Sequence, residues 1–360
     1  MQNAQPDFGR VIATLGHEEP DRVPLAEIAV DYTTMSRFLG QPVSDEDVAA
    51  QVAFWTQAGY DYTLLTVGMM RPGGITKDSQ ISKVIQSVTK GDAEQGEDED
   101  AWNIWKVPRI LTEADFERFP WERLAQLDFS KFHEVQQYLP DGMKIIATSG
   151  KIFTSSWMLM GFENFAVNLK LNPQFVDRVI ERVAQIQLDG LREVAALPNV
   201  AAVWAVDDIA FGSGLMLSLS TLRKHLFPWY EEFGRVCRER GLHFFFHTDG
   251  VVWDLLEDLI ALGVDALHPI DPTCMDIEAV KRAVKGRLTL VGNISNELLE
   301  VGTPEQVAEL TKQRLRTVAP GGGYCLGSGN SVPDWAKIEN YRAMVETALR
   351  FGSYPIHIEA

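Results

Sequence analysis

Apolar residues along this chain fall into two alternating kinds of segment. Short, nearly continuous runs turn polar at their C-terminal ends, and longer stretches carry apolar positions at helical spacing. Eight short runs can be read in order: VPLAEIAV (23–30), YTLLTVG (62–68), KIIATSG (144–150), AAVWAVDD (201–208), LHFFFHTDG (242–250), ALHPIDP (266–272), LTLVGNIS (288–295) and GGYCLGSGN (322–330). Between them lie stretches such as NPQFVDRVIERVAQIQLDGLREVAAL (172–197), which opens on Asn-Pro, a favoured helix start. WDLLEDLIALG, DIEAVKRAVKG and TPEQVAELTKQRLRTVAPGG repeat the logic, each running into a glycine where a left-handed cap is cheapest.

Strands that alternate with helices form a parallel sheet, and eight such repeats specify a (β/α)8 TIM barrel. The pattern predicts a single barrel domain over residues 1–360, with an N-terminal extension (1–22) and an insertion of about residues 69–143 between the second and third strands. Within that insertion, VIQSVTK and AWNIWKVP flank the acidic run 92–100 and predict a hairpin extending from the barrel rim. It reads either as a lid or partner surface or as a solvated connection.

Composition narrows the function classes. A formal charge of -17 with no basic cluster argues against a nucleic-acid backbone as partner. The N-terminus lacks the cationic and apolar regions of a secretion signal, and no apolar run approaches the ~20 residues that span a bilayer, so a cytoplasmic, non-membrane protein is expected. Cys237, Cys274 and Cys325 are widely spaced and outside any CxxC pattern, which predicts reduced thiols. Neither a P-loop nor a GxGxxG turn after the first strand is present.

In a (β/α)8 barrel the C-terminal strand ends converge on one pocket whatever their distance in sequence. The polar ends place Glu27, Asp31, Thr66, Ser149, Asp207, Asp208, His247, Asp249, His268, Asp271, Asn293, Ser328 and Asn330 around that pocket. FFFHTDG is the sharpest of these ends. A period of two puts His247 and Asp249 on the same side, where they could share a metal ion with help from Glu27. Equally, His247 could serve as an acid or base oriented by a carboxylate, or be a hydrogen-bonded strand-end histidine. Asp207 and Asp208 are adjacent and cannot both point inward, so one lines the pocket and the other caps the next turn. Cys325 is a metal thiolate or a small buried hydrophobe.

The runs HTDG, DLIALGVDALHPIDP, VGNIS, VGTPEQV, GGGYCLGSGNSVP and IENYRAMVE resemble the uroporphyrinogen decarboxylase superfamily. That resemblance implies the same (β/α)8 barrel and a choice between two branches, decarboxylases of uroporphyrinogen and corrinoid-dependent methyltransferases. The decarboxylases carry an arginine-rich N-terminal loop, an aspartate after strand two, a tyrosine after strand three and a serine after strand four. Here LAEIAVDYTTM lacks the arginines, Gly68 and Trp157 stand near the second and third positions, and Asp208 replaces the serine. The resemblance therefore points to the methyltransferase branch, in which zinc is held by His-x-Cys after strand five and a cysteine after strand eight. His247 matches, Asp249 stands for the first cysteine, and Ser328 falls nearest the second.

Oxygen ligands are harder than thiolates and suit an ether oxygen better than a thiol. What the resemblance implies is thus an O-demethylase type of methyltransferase, moving a methyl group from an aryl methyl ether or similar small donor to cobalamin. The cobalamin would be carried by a separate corrinoid protein, since no DxHxxG sequence occurs here. His247, Asp249 and Asp208 form the implied catalytic set, and His247, Asp249, Glu27 and Ser328 the implied zinc ligands. Glu27, Ser149, Phe153, Trp157, Asp207, His268, Asn293 and Asn330 would contact substrate, with Phe211 as a further aromatic wall, and a homodimer is compatible with the resemblance. Two alternatives stand beside this reading: a decarboxylase of tetrapyrrole biosynthesis, and a barrel that binds without catalysis.

Overall fold

The computed structural model describes residues 5–67, 108–284 and 286–358. The strands in chain order are β1 (Tyr62–Thr66), β2 (Lys144–Ser149), β3 (Val200–Val206), the short β4 (Ala210–Phe211) and β5 (Gly214–Leu215), then β6 (His243–His247), β7 (Ala266–His268), β8 (Thr289–Ile294) and β9 (Tyr324–Ser328). Seven of them form one curled parallel sheet in the order β1-β2-β3-β6-β7-β8-β9, while β4 and β5 make a separate antiparallel hairpin. Strands covered on both faces can be apolar throughout rather than alternating. Accordingly, every residue of β8 and β9 is buried.

The eighth place beside the sheet is taken by residues 23–30, which are extended but irregular. Leu25 and Val30 bridge in parallel to Leu326 and Val332. Ala26 N–H donates to the Leu326 carbonyl at 2.8 Å, and Leu326 N–H to that of Pro24 at 2.9 Å. Sequence patterning predicts a full strand here, and two side-chain effects prevent one. Pro24 has no N–H to give to a ladder. Both backbone groups of Glu27 are taken by the Tyr62 phenol, which accepts from its N–H at 2.7 Å and donates to its carbonyl at 2.8 Å. The architecture is a (β/α)8 barrel with seven regular staves and one irregular one.

The helices follow the expected punctuation. Pro173–Val194 starts on its proline, and Pro304–Thr317 begins with a reciprocal capping box between Thr303 and Gln306. WDLLEDLIALG divides into a 3-10 turn (Trp253–Leu255) and a short helix (Leu256–Ala261). Of the insertion, residues 108–143 carry three short α-helices, Glu113–Arg118, Trp121–Leu124 and Ser130–Glu134, joined by turns. The hairpin expected around 92–100 lies outside the described residues.

The N-terminal end of the barrel is closed by the helix Gly9–Leu15, whose Thr14 carbonyl accepts from Gly323 N–H and Thr289 Oγ1 at 3.2 and 3.3 Å. Beside it the fully buried Asp61 is held by Arg10 at 2.7 Å and Arg22 at 2.9 Å, as a charge removed from water must be. Pocket chemistry is left to the opposite end. Among the described residues no helix is long and apolar enough to cross a membrane. All three cysteines are free, and burial holds the Cys325 thiol far above its ordinary range, which favours its reading as a small hydrophobe.

Candidate active site

The site is assembled where β6 ends. Phe244, Phe245 and Phe246 are buried and carry His247 to the C-terminal edge of the sheet. Gly250 then adopts a positive φ of 89°, and a Cβ there would lie 2.3 Å from the Phe211 backbone. The missing side chain lets the β4–β5 hairpin cross over the loop. Val251 N–H donates to the Phe211 carbonyl at 2.9 Å, and Ile209 N–H to Thr248 Oγ1 at 3.0 Å. Pinned this way, the start of the hairpin sets Asp208 beside His247.

His247 Nε2 lies 3.4 Å from Asp208 Oδ1 and 3.8 Å from Asp249 Oδ1. One donor atom from each of the three residues falls within 4.8 Å of the others, a spacing that suits a shared cation. The imidazole is buried, whereas the Asp208 and Asp249 side chains are 39% and 36% exposed and open the site to solvent. Each outer member has a second support. Asn330 Nδ2 donates to Asp249 Oδ2 at 2.7 Å, Asp249 N–H to Asp208 Oδ1 at 3.3 Å, and His247 Nδ1 meets His268 Nδ1 at 2.8 Å. These are the outer contacts that orient metal ligands, so the residues present fit a divalent cation.

Electrostatics agree with that geometry. Burial opposes charge on His247, but the Asp208 hydrogen bond and the charges of Asp249 and Asp208 outweigh it and raise its pKa. Burial also opposes charge on Asp208, yet His247 and the nearby Lys151 bring its carboxyl down to about 2. Asp249 is raised by burial, with the charge of His247 working against that and the charge of Asp208 adding to it. Burial first, and the neighbouring His247 charge second, hold His268 well below the usual histidine range. Solvent reaching the two carboxylates screens these attractions.

Other residues expected at the pocket are occupied locally. Asp207 is fully buried and accepts from Phe153 N–H at 2.6 Å, Thr154 N–H at 2.8 Å, Thr154 Oγ1 at 2.5 Å and the Tyr230 phenol. It caps the helix Ile152–Met160, far along the chain, rather than the turn that follows it. Burial pushes its carboxyl up to about 6 against those hydrogen bonds. Ser149 Oγ bonds Gln187 Oε1 at 3.1 Å, and Phe153 is buried edge-on against Phe165 at 5.7 Å. Asp31 caps the helix Tyr32–Leu39 and Asp271 accepts from Thr273 within a turn. Thr66 pairs with Thr148. Trp157 is half-buried against Phe162 with its indole N–H unpartnered, and Phe211 stands 56% exposed on the hairpin. Asn293 gives Nδ2–H to the Ile270 carbonyl at 3.0 Å and keeps Oδ1 without a partner.

Glu27 and Ser328 pair with each other rather than with the three-residue cluster. Ser328 N–H donates to Glu27 Oε1 at 2.8 Å, and the serine hydroxyl contacts both Glu27 Oε2 at 2.5 Å and the Asn330 carbonyl. One hydroxyl proton cannot serve two acceptors. Both contacts are made if Glu27 is protonated and donates to Ser328 Oγ, and burial pushes its carboxyl up to about 8 despite the Ser328 hydrogen bonds. Sequence reading missed Lys151, although a lysine directly after the third apolar run was visible. It also missed the contact between His247 and His268, which their shared register across β6 and β7 produces.

Barrel topology and a polar cluster on the strand C-terminal edge define the class as an α/β barrel with an enzyme-like site. The sequence profile of the uroporphyrinogen decarboxylase (URO-D) family matches residues 108–351, and the chain belongs to that family. Among solved structures, a methyltransferase from Methanosarcina mazei has a similar fold, with a TM-score of 0.66 at 14% identity over 95% of this chain and 98% of that one. No curated protein matches the sequence.

Proposed function

We propose that this chain is a methyltransferase that takes the methyl group of a small methoxylated donor, such as an aryl methyl ether, and passes it to cobalamin presented by a separate corrinoid protein. The observation that carries the reading is the cluster of Asp208, His247 and Asp249, one imidazole and two carboxylates at the open end of the barrel. A hard, oxygen-rich set matches an ether oxygen. Two partly exposed carboxylates make the same mouth unfavourable for a polycarboxylated tetrapyrrole, so the decarboxylase alternative draws its support from family membership alone. The M. mazei methyltransferase shares the fold, and the transfer of its activity to this chain is part of the proposal.

Zinc held by Asp208, His247 and Asp249 would supply Lewis acidity toward the ether oxygen. The chain's own residues do the rest. Asp208 and Asp249 bring negative charge to the cation, and Asn330 and His268 fix their ligands in orientation. Trp157 and the hairpin residue Phe211 offer aromatic surface to an aryl donor. When the C–O bond breaks, its electron pair stays on oxygen and the methyl group leaves to the acceptor. In the metal-free form the protonated His247 Nε2 is placed to give that oxygen a proton, and the same nitrogen cannot hold both a proton and a metal.

Metal analysis of wild type beside His247→Ala and Asp249→Ala, loaded with zinc and dialysed, tests the reading. One zinc per wild-type chain, lost in both variants, is the expected result, followed by methyl transfer from methoxylated aromatics to cobalamin(I). Wild-type protein that remains metal-free after loading would overturn the zinc site, and decarboxylation of a tetrapyrrole would overturn the methyltransferase.

A further inference from the structure

We propose that His268 is a positioning residue that accepts the Nδ1 proton of His247 and thereby turns the His247 Nε2 lone pair toward Asp208 and Asp249. This role deepens the metal reading above and rests on it.

Protons can be counted along one line of groups. The two imidazoles are paired Cα to Cα across β6 and β7, stacked at 5.0 Å with planes 28° apart, and joined Nδ1 to Nδ1 at 2.8 Å. A contact between two ring nitrogens needs one proton and one lone pair, so either ring could be the donor. The far nitrogen of His247 decides between them. His247 Nε2 lies 3.4 Å from Asp208 Oδ1 and 3.8 Å from Asp249 Oδ1, on the side where a shared cation would sit. A cation there takes the Nε2 lone pair. A neutral His247 then keeps its one proton on Nδ1, which makes it the donor to His268 Nδ1.

His268 is fully buried and sits directly opposite His247 across β6 and β7. Trp204 packs edge-on against its ring at 5.3 Å and 87°, which holds the imidazole plane. With its Nδ1 proton committed to His268, His247 has Nε2 left for the two carboxylates. A metal-binding histidine needs this arrangement, in which the outer nitrogen donates so that the inner one can ligate. Here a second imidazole does what a carboxylate or carbonyl more often does.

Two measurements test it. Zinc affinity is titrated in chelator-treated wild type, His268→Phe and His268→Gln, each checked for folding by circular dichroism. Loss of the acceptor in H268F is expected to weaken zinc about 10- to 100-fold, and H268Q, whose amide oxygen can accept, should recover part of that loss. Long-range proton–nitrogen NMR of metal-free wild type should show His268 neutral with its proton on Nε2. A folded H268F that binds zinc as wild type does, or a His268 proton found on Nδ1, overturns the proposal. If wild type binds no zinc, the metal reading falls by itself, and the tautomer of His268 still decides this one.

Discussion

Asn330 donates its amide Nδ2–H to Asp249 Oδ2 at 2.7 Å, tying the loop after the last strand to the end of β6. Asn330 Oδ1 in turn accepts from Ser331 N–H at 2.6 Å, so the amide is fixed at both ends. One carboxylate oxygen of Asp249 is thereby occupied and the other left facing His247.

Replacing Asn330 by alanine frees the Asp249 carboxylate to rotate. We expect Asn330→Ala to keep the fold and to lower zinc affinity about 10-fold, the low end of what outer-contact mutations cost. Isothermal titration against a competing chelator measures it, and an unchanged affinity would mean that Asp249 is oriented by the backbone alone.

Asp208→Asn should lower the His247 pKa. Burial already works against the imidazolium, and the Asp208 hydrogen bond heads the contributions that overcome it. With the carboxylate gone, burial is opposed chiefly by Asp249, and the midpoint should move down. Titration of the His247 resonances in metal-free protein reads the change. A His247 that titrates as before would place the stabilising charge elsewhere.

Glu27 gives a stability prediction whose sign can be worked out. Its carboxyl titrates near 4.3 in an unfolded chain, roughly, and is pushed up to about 8 in the fold. Between those values the native state holds more protons than the unfolded one, so stability falls as pH rises through the window. Every pH unit of that window costs the fold up to ~1.4 kcal/mol. Glu27→Gln keeps a donor for Ser328 Oγ and cannot ionise. Its thermal midpoint should match wild type near pH 4 and exceed it above pH 8; a difference constant with pH would show that Glu27 does not titrate in this range.

Asp207→Ala tests whether this acid belongs to the substrate pocket or to the scaffold. Four donors would lose their acceptor in the interior, and a loss of roughly 3 kcal/mol or more is expected, with zinc affinity unchanged. Chemical denaturation gives the number. A stable variant whose only defect is a raised KM would return Asp207 to the pocket.

Much of this architecture was legible in the sequence. Helix starts such as Asn172-Pro173 and Thr303 to Gln306 could be read because caps act within one turn of chain. Strand ends could be read because the polar switch is local, and His247, Asp249 and Asp208, all read from such ends, lie within 4.8 Å of one another. Which member of the Asp207–Asp208 pair faces the pocket was not legible, because alternation assigns opposite sides without saying what occupies each. The helix that Asp207 caps begins at Ile152, more than fifty residues earlier. Irregularity at residues 23–30 was likewise hidden, since it depends on a phenol arriving from Tyr62.

The irregular stave has one more consequence, for the order of events during synthesis. Leu25 bridges Leu326, and Glu27 bonds Ser328 across 301 residues of sequence. Contacts of such separation form last, because the intervening loop must first be organised. The barrel can close only after Val332 has left the ribosome, and Asn330 reaches Asp249 by the same act. A nascent chain therefore holds strands early and a working mouth only at the end, so truncation just before β9 removes the site while leaving most of its residues in place.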